Sequence, residues 1–70
     1  PPPSEAEPLS PRELAVYRLL GEGYSTPAIA DELGVSSRTV DSYFARILAK
    51  LHLRGMEALR RRAVADRPRE

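Results

Sequence analysis

The chain has 70 residues, 41% of them hydrophobic and 30% charged, with a net charge of +1 and no cysteine. That length allows one small domain, near the lower limit at which a single core folds without staples, and the missing cysteine excludes a disulfide framework and thiolate metal sites. His52 is the only histidine, which excludes paired-histidine catalysis and histidine zinc sites, and no apolar run approaches the ~20 residues of a membrane-spanning helix.

Residues 1–8, Pro-Pro-Pro-Ser-Glu-Ala-Glu-Pro, hold four prolines and no apolar periodicity. They read as an extended linker, either a tether to an upstream domain or a proline-recognition ligand. A first helix is expected from Pro11. Ser10 is its cap, Pro11 takes the first helical position, and Glu13 completes a capping box, with Leu9 and Leu14 placed as a hydrophobic staple. Its apolar stripe is Val16, Tyr17 and Leu20, and Gly21-Glu22-Gly23 reads as a helix stop and turn. These glycines are not a phosphate loop, because neither a third glycine nor Gly-Lys-Ser/Thr follows.

A second helix begins at Ser25-Thr26-Pro27, with either hydroxyl as its cap, and stops at Gly34. The third runs from after Ser36 to about His52, with Val40, Tyr43, Ile47 and Leu51 as its buried face. Gly55 breaks the chain, and a fourth helix covers Met56 to about Asp66, ahead of Pro68. There is no strand signal and no internal repeat. The fold class is all-α, with four helices over residues 9–66 between a linker at 1–8 and a disordered tail at 67–70.

The second and third helices form a helix-turn-helix pattern. Ala30 supplies the small residue that two steeply crossing helices need. Gly34 supplies a left-handed turn at low steric cost. Ile29, Leu33, Val35, Val40 and Tyr43 lock the pair together. The third helix then presents Arg38, Asp41, Ser42, Ala45, Arg46, Ala49 and Lys50 outward. Small side chains at Ser42, Ala45 and Ala49 would let its backbone approach base edges in a DNA major groove, and Arg46 and Lys50 would reach flanking phosphates. Ser36, Ser37, Arg38 and Thr39 set hydroxyls and a cation at a helix N-terminus, where free N–H groups favour an anion such as phosphate. The plainer alternatives are an ordinary cap at Ser36 and an ordinary solvated face.

Charge agrees with a polyanionic partner. Residues 1–33 carry two arginines against six carboxylates, net −4, while residues 34–70 carry nine Lys/Arg against four carboxylates, net +5. Tyr17, Tyr24 and Tyr43 read as core or core-edge residues rather than base-stacking platforms. His52 reads as a surface or helix C-terminal residue, and Arg60-Arg61-Arg62 as a solvated face. No nucleophile–base pair or metal set occurs, so neither an enzyme nor a cofactor is expected. With no signal-peptide pattern, an intracellular soluble domain is expected. Opening on Pro1 rather than Met, the chain is expected to be a piece or processed form of a longer protein.

Leu9-Ser10-Pro11-Arg12-Glu13, Glu22-Gly23-Tyr24-Ser25, Ile29-Ala30, Leu33-Gly34-Val35-Ser36, Arg38-Thr39-Val40 and Ile47 with Lys50-Leu51 together resemble the LuxR/NarL/FixJ-type helix-turn-helix. The likeness covers about residues 9–59, in order and at the same spacing. It implies a four-helix output domain of a bacterial transcription regulator, such as a response regulator of a two-component system, behind an upstream receiver or sensor. Matched by position, the family's base-reading sites fall at Asp41, Ser42 and Ala45. Its phosphate contacts fall at Thr26, Thr39, Arg46 and Lys50, joined by Ser37 and Arg38 from the helix start. Its two-fold contact falls on the fourth helix at Met56, Leu59 and Ala63. The implied partners are double-stranded DNA with inverted half-sites, a second copy on that DNA, and RNA polymerase. This sequence has Asp41 where the family often has lysine, and Tyr43 where it often has histidine. The rivals are a promoter-reading region of a sigma factor, which shares the Glu-Gly-Tyr-Ser and Ile-Ala pieces, and a protein-interaction module that no longer binds DNA.

Overall fold

The computed structural model describes residues 9–67. The expected linker at 1–8 and residues 68–70 of the expected tail lie outside the described residues. Four helices follow in order: α1 (Pro11–Gly21), α2 (Thr26–Leu33), α3 (Ser37–Leu51) and α4 (Met56–Ala65), with no strand among the described residues.

Three of the four helix starts are capped by a serine side chain. Ser10 Oγ accepts from the Glu13 N–H at 3.2 Å while Glu13 Oε1 accepts from the Ser10 N–H at 2.9 Å, a complete capping box with Pro11 in the first turn. Ser25 rather than Thr26 caps α2, its Oγ accepting from the Ala28 N–H. Ser36 caps α3 through the Thr39 N–H at 3.1 Å. Gly55 precedes α4 without a side-chain cap.

The stops also follow local rules. Gly34 takes the left-handed conformation (φ 69°), so the Val35 N–H turns back to the Ala30 carbonyl at 3.0 Å and closes the α2 end. His52 performs the same turn after α3 at φ 58°, with the Leu53 N–H bonded to the Leu48 carbonyl. It is the one non-glycine with positive φ among the described residues.

The helices close around Val16, Tyr17, Leu20, Ile29, Ala30, Val40, Phe44, Ile47, Leu59 and Ala63. α1 is the hub, packing on both α3 and α4, while α2 packs on α3. Several expectations change here. The inner face of α3 is Val40, Phe44 and Ile47; Tyr43 and Leu51 sit half-buried at its margin. The phenyl ring goes inward because it has no polar tip to leave in water, whereas tyrosine has one. Tyr24, expected at the core edge, is 38% exposed. Leu9 packs on the core, but Leu14 is 38% exposed rather than sealed in a staple.

Gly21 has a tertiary role beyond stopping a helix. A Cβ at this position would lie 2.6 Å from the Ala63 carbonyl oxygen, so a bare backbone lets α1 and α4 meet. At the same end Tyr17 donates its hydroxyl hydrogen bond to the Asp66 carboxylate, which Arg62 Nε also approaches at 3.5 Å. Burial, and then this carboxylate, push the Tyr17 phenol well above its usual range.

The structure places Leu59 and Ala63, expected at a two-fold contact, within the packing of the chain itself. Leu59 is fully buried and Ala63 nearly so, both inside the chain's own core, with Met56 half-buried against it. A side chain already covered by α1 and its neighbours has no apolar area left for a second copy. The residues that α4 does expose are Glu57, Arg60, Arg61, Arg62, Val64 and Ala65.

Candidate nucleic-acid interface

With Val40, Phe44 and Ile47 turned inward, the opposite face of α3 is left to solvent. Arg38, Asp41, Ser42, Ala45, Arg46 and Ala49 are all exposed, at intervals of one, three or four residues that keep them on one side of the helix. The structure therefore brings together the three expected base-reading positions, Asp41, Ser42 and Ala45, with Arg38 and Arg46 beside them. Alanine and serine at the centre of this face leave the backbone accessible between two arginines.

Local bonds shape the face. Ser42 Oγ donates back to the Arg38 carbonyl at 3.3 Å, keeping the hydroxyl close to the helix. The Ser36 and Thr39 hydroxyls share a hydrogen bond at 3.0 Å, so Thr39 belongs to the cap as well as to the α3 N-terminus. Ser37 is exposed in the first turn. Thr26 is half-buried as the first residue of α2. Arg38 and Asp41 form no ion pair with each other among the described residues. Arg12 Nη1 donates to the Leu33 carbonyl at 3.4 Å, linking the α1 start to the α2 end that leads into the turn.

Lys50 stands apart from the set it was expected to join. Its ammonium, expected on a phosphate, lies 2.8 Å from Glu13 Oε1. The Glu13 side chain is only 4% exposed and that of Lys50 25%. The same carboxylate oxygen accepts from the Ser10 backbone N–H, so one atom joins the α1 cap to the last turn of α3. The Lys50 ammonium, followed by the Ser10 N–H, holds the Glu13 carboxyl below its usual range. Sequence spacing offered no sign of this, because the partners are 37 residues apart.

Comparison with known proteins places this arrangement. The profile described as "Bacterial regulatory proteins, luxR family" matches residues 7–63. The chain belongs to that family, and its class is a helix-turn-helix DNA-binding domain of transcription regulators, which is not an enzyme class. The sigma-factor alternative is set aside by that match.

It is 44% identical over 59 residues to the transcriptional regulatory protein DesR of Bacillus subtilis, covering 83% of this chain and 30% of that protein. It is 48% identical over 44 residues to BvgA of Bordetella pertussis, a putative positive transcription regulator of virulence factors, covering 63% and 21%. Against the two-component response regulator PprB of Pseudomonas aeruginosa it is 42% identical over 45 residues, covering 64% and 16%. The chain spans less than a third of the length of these relatives. No solved structure gives a match. No helix among the described residues is long and apolar enough to cross a membrane.

Proposed function

We propose that α3 enters the DNA major groove with Asp41, Ser42 and Ala45 at base edges, as the sequence-reading element of a two-component response regulator. The observation that carries this is the exposed outer face of α3, with small residues at its centre and arginines on either side, backed by a buried inner face. Arg38 and Arg46 supply charge to flanking phosphates, and Ser37, Thr39 and Thr26 supply hydroxyls and helix N-termini. Lys50 is left out of the phosphate set, because moving it to DNA would leave the buried Glu13 carboxylate without its cation.

Asp41 suits a cytosine amino group, which donates to a carboxylate, and the same negative charge disfavours phosphate nearby. Two copies meet on inverted half-sites about one helical turn apart, paired mainly by the DNA, since α4 has turned Leu59 and Ala63 inward. RNA polymerase is the further partner of a regulator acting at a promoter, in the cytoplasm at the nucleoid. The upstream segment carries a receiver or sensor, with residues 1–8 as linker, residues 9–66 as the domain and residues 67–70 as tail.

Selection from a randomised duplex pool tests the reading. Wild type should enrich an inverted repeat. Asp41→Asn should change preference at one base position by about 1–3 kcal/mol. An unchanged consensus removes Asp41 from the reading set. Absence of duplex binding at low salt favours the protein-interaction alternative.

A further inference from the structure

Arg46 is exposed, but its guanidinium is not adrift. Its Cζ lies over the Tyr43 ring, 5.9 Å from the centroid and three residues along α3. Tyr43 is half-buried and packed against the core, so the ring is a fixed platform beneath a side chain that otherwise samples many rotamers. A guanidinium is planar and weakly hydrated, and it can rest on an aromatic face while still offering N–H groups to an oxyanion. An ammonium is a strongly hydrated point charge without that plane.

We propose that Tyr43 is a positioning residue: its ring holds the Arg46 guanidinium in place on α3, ready for a DNA phosphate, an inference that rests on the binding mode proposed above. The ring restricts Arg46 before DNA arrives, so less side-chain freedom is lost on binding. In this role Tyr43 acts through Arg46 and not on the DNA directly. Its hydroxyl is dispensable for this role, since the attraction comes from the ring face.

The test is a double-mutant cycle on the 70-residue chain, read by fluorescence anisotropy with a labelled 24-base-pair random-sequence duplex over a salt series. Tyr43→Leu keeps an apolar side chain but loses the ring. It should weaken binding about two- to fivefold, equal to about 0.5–1 kcal/mol at 1.4 kcal/mol per tenfold. Tyr43→Phe should bind like wild type. Arg46→Ala should weaken binding and lower the magnitude of the salt slope by about one, and Tyr43→Leu should then add nothing.

Arg46→Lys, at an exposed position with no risk to the core, should keep the salt slope yet bind more weakly. NMR of the free chain should show the Arg46 side-chain protons shifted upfield by the ring in wild type and Tyr43→Phe, and not in Tyr43→Leu. Equal binding of Tyr43→Leu and wild type overturns the proposal, as does an equal loss with and without Arg46. If wild type binds duplex with an Arg46-dependent slope but the cycle shows no coupling, only the positioning role falls. If wild type binds no duplex at low salt, the binding mode falls and the positioning role with it.

Discussion

Replacing Lys50 with methionine separates a structural ion pair from a phosphate contact. Methionine keeps most of the aliphatic stem and removes the ammonium that lies 2.8 Å from Glu13 Oε1. Glu13, with a side chain 4% exposed, then keeps the Ser10 N–H but loses its cation. Stranding a fully buried charge costs about 3–5 kcal/mol. Lys50 is a quarter exposed, so solvent screens the pair, and about 2–3 kcal/mol is the better expectation here. At about 4–8 °C per kcal/mol for a domain this small, the melting temperature should fall by about 8–24 °C at pH 7.

The pH dependence follows from the direction of the Glu13 shift. Its pKa is lowered in the folded chain, first by Lys50 and then by Ser10. Stability from a lowered carboxyl is fully present above the unfolded value of about 4.3, and is lost as pH falls through the lower, folded value. Wild type should therefore lose this contribution in acid, and the gap between wild type and Lys50→Met should narrow below about pH 4. Melts followed by circular dichroism from pH 7 to pH 3 check this. Equal melting temperatures at pH 7, or a gap that stays constant into acid, refute the ion-pair argument. The salt dependence of DNA binding by the folded variant gives a second reading. A phosphate contact at Lys50 predicts a slope smaller by about one, whereas the ion pair predicts no such change.

Gly21→Ala should destabilise the chain by about 1–3 kcal/mol in a denaturant titration, because the new Cβ meets the Ala63 backbone oxygen at 2.6 Å. Unchanged or raised stability would mean that α1 and α4 do not approach there. His52→Gly should raise stability by about 1 kcal/mol, since glycine takes the left-handed φ of 58° without the Cβ penalty; a lower melting temperature would refute it. Leu59→Ala should cost about 2–5 kcal/mol as a core cavity, while sedimentation of wild type should show mainly monomer at micromolar concentration. A tight free dimer, or a Leu59→Ala variant as stable as wild type, would return Leu59 to an intermolecular role.

The four helices and their ends were legible in the sequence because local rules decide them. Ser10 with Glu13, Ser36 at the third helix and Gly34 at the turn each act within a few residues of themselves, and their bonds lie where the sequence placed them. The outward face of α3 was legible too, since helical periodicity alone separates Arg38, Asp41, Ser42, Ala45 and Arg46 from the buried side. Periodicity was less able to rank Tyr43 against Phe44, both one turn from Val40 and one turn from Ile47. The structure buries Phe44 and leaves Tyr43 at the margin, because tyrosine has a polar tip to keep in water and phenylalanine has none.

What only the tertiary structure decided concerns partners distant in sequence. An apolar stripe of Met56, Leu59 and Ala63 states that something must cover it, and the stripe is equally suited to another chain or to α1. Contact with α1, made possible by the bare backbone of Gly21, answers the question from within the chain. A lysine near a helix end likewise states only that a charge is present. Glu13 and Lys50 are 37 residues apart and meet because α1 crosses α3, which gives a lysine expected at a phosphate a carboxylate partner within the chain. Local hydrogen bonds and helical spacing are written in neighbouring residues, whereas the pairing of charges and apolar faces across helices depends on how the helices cross.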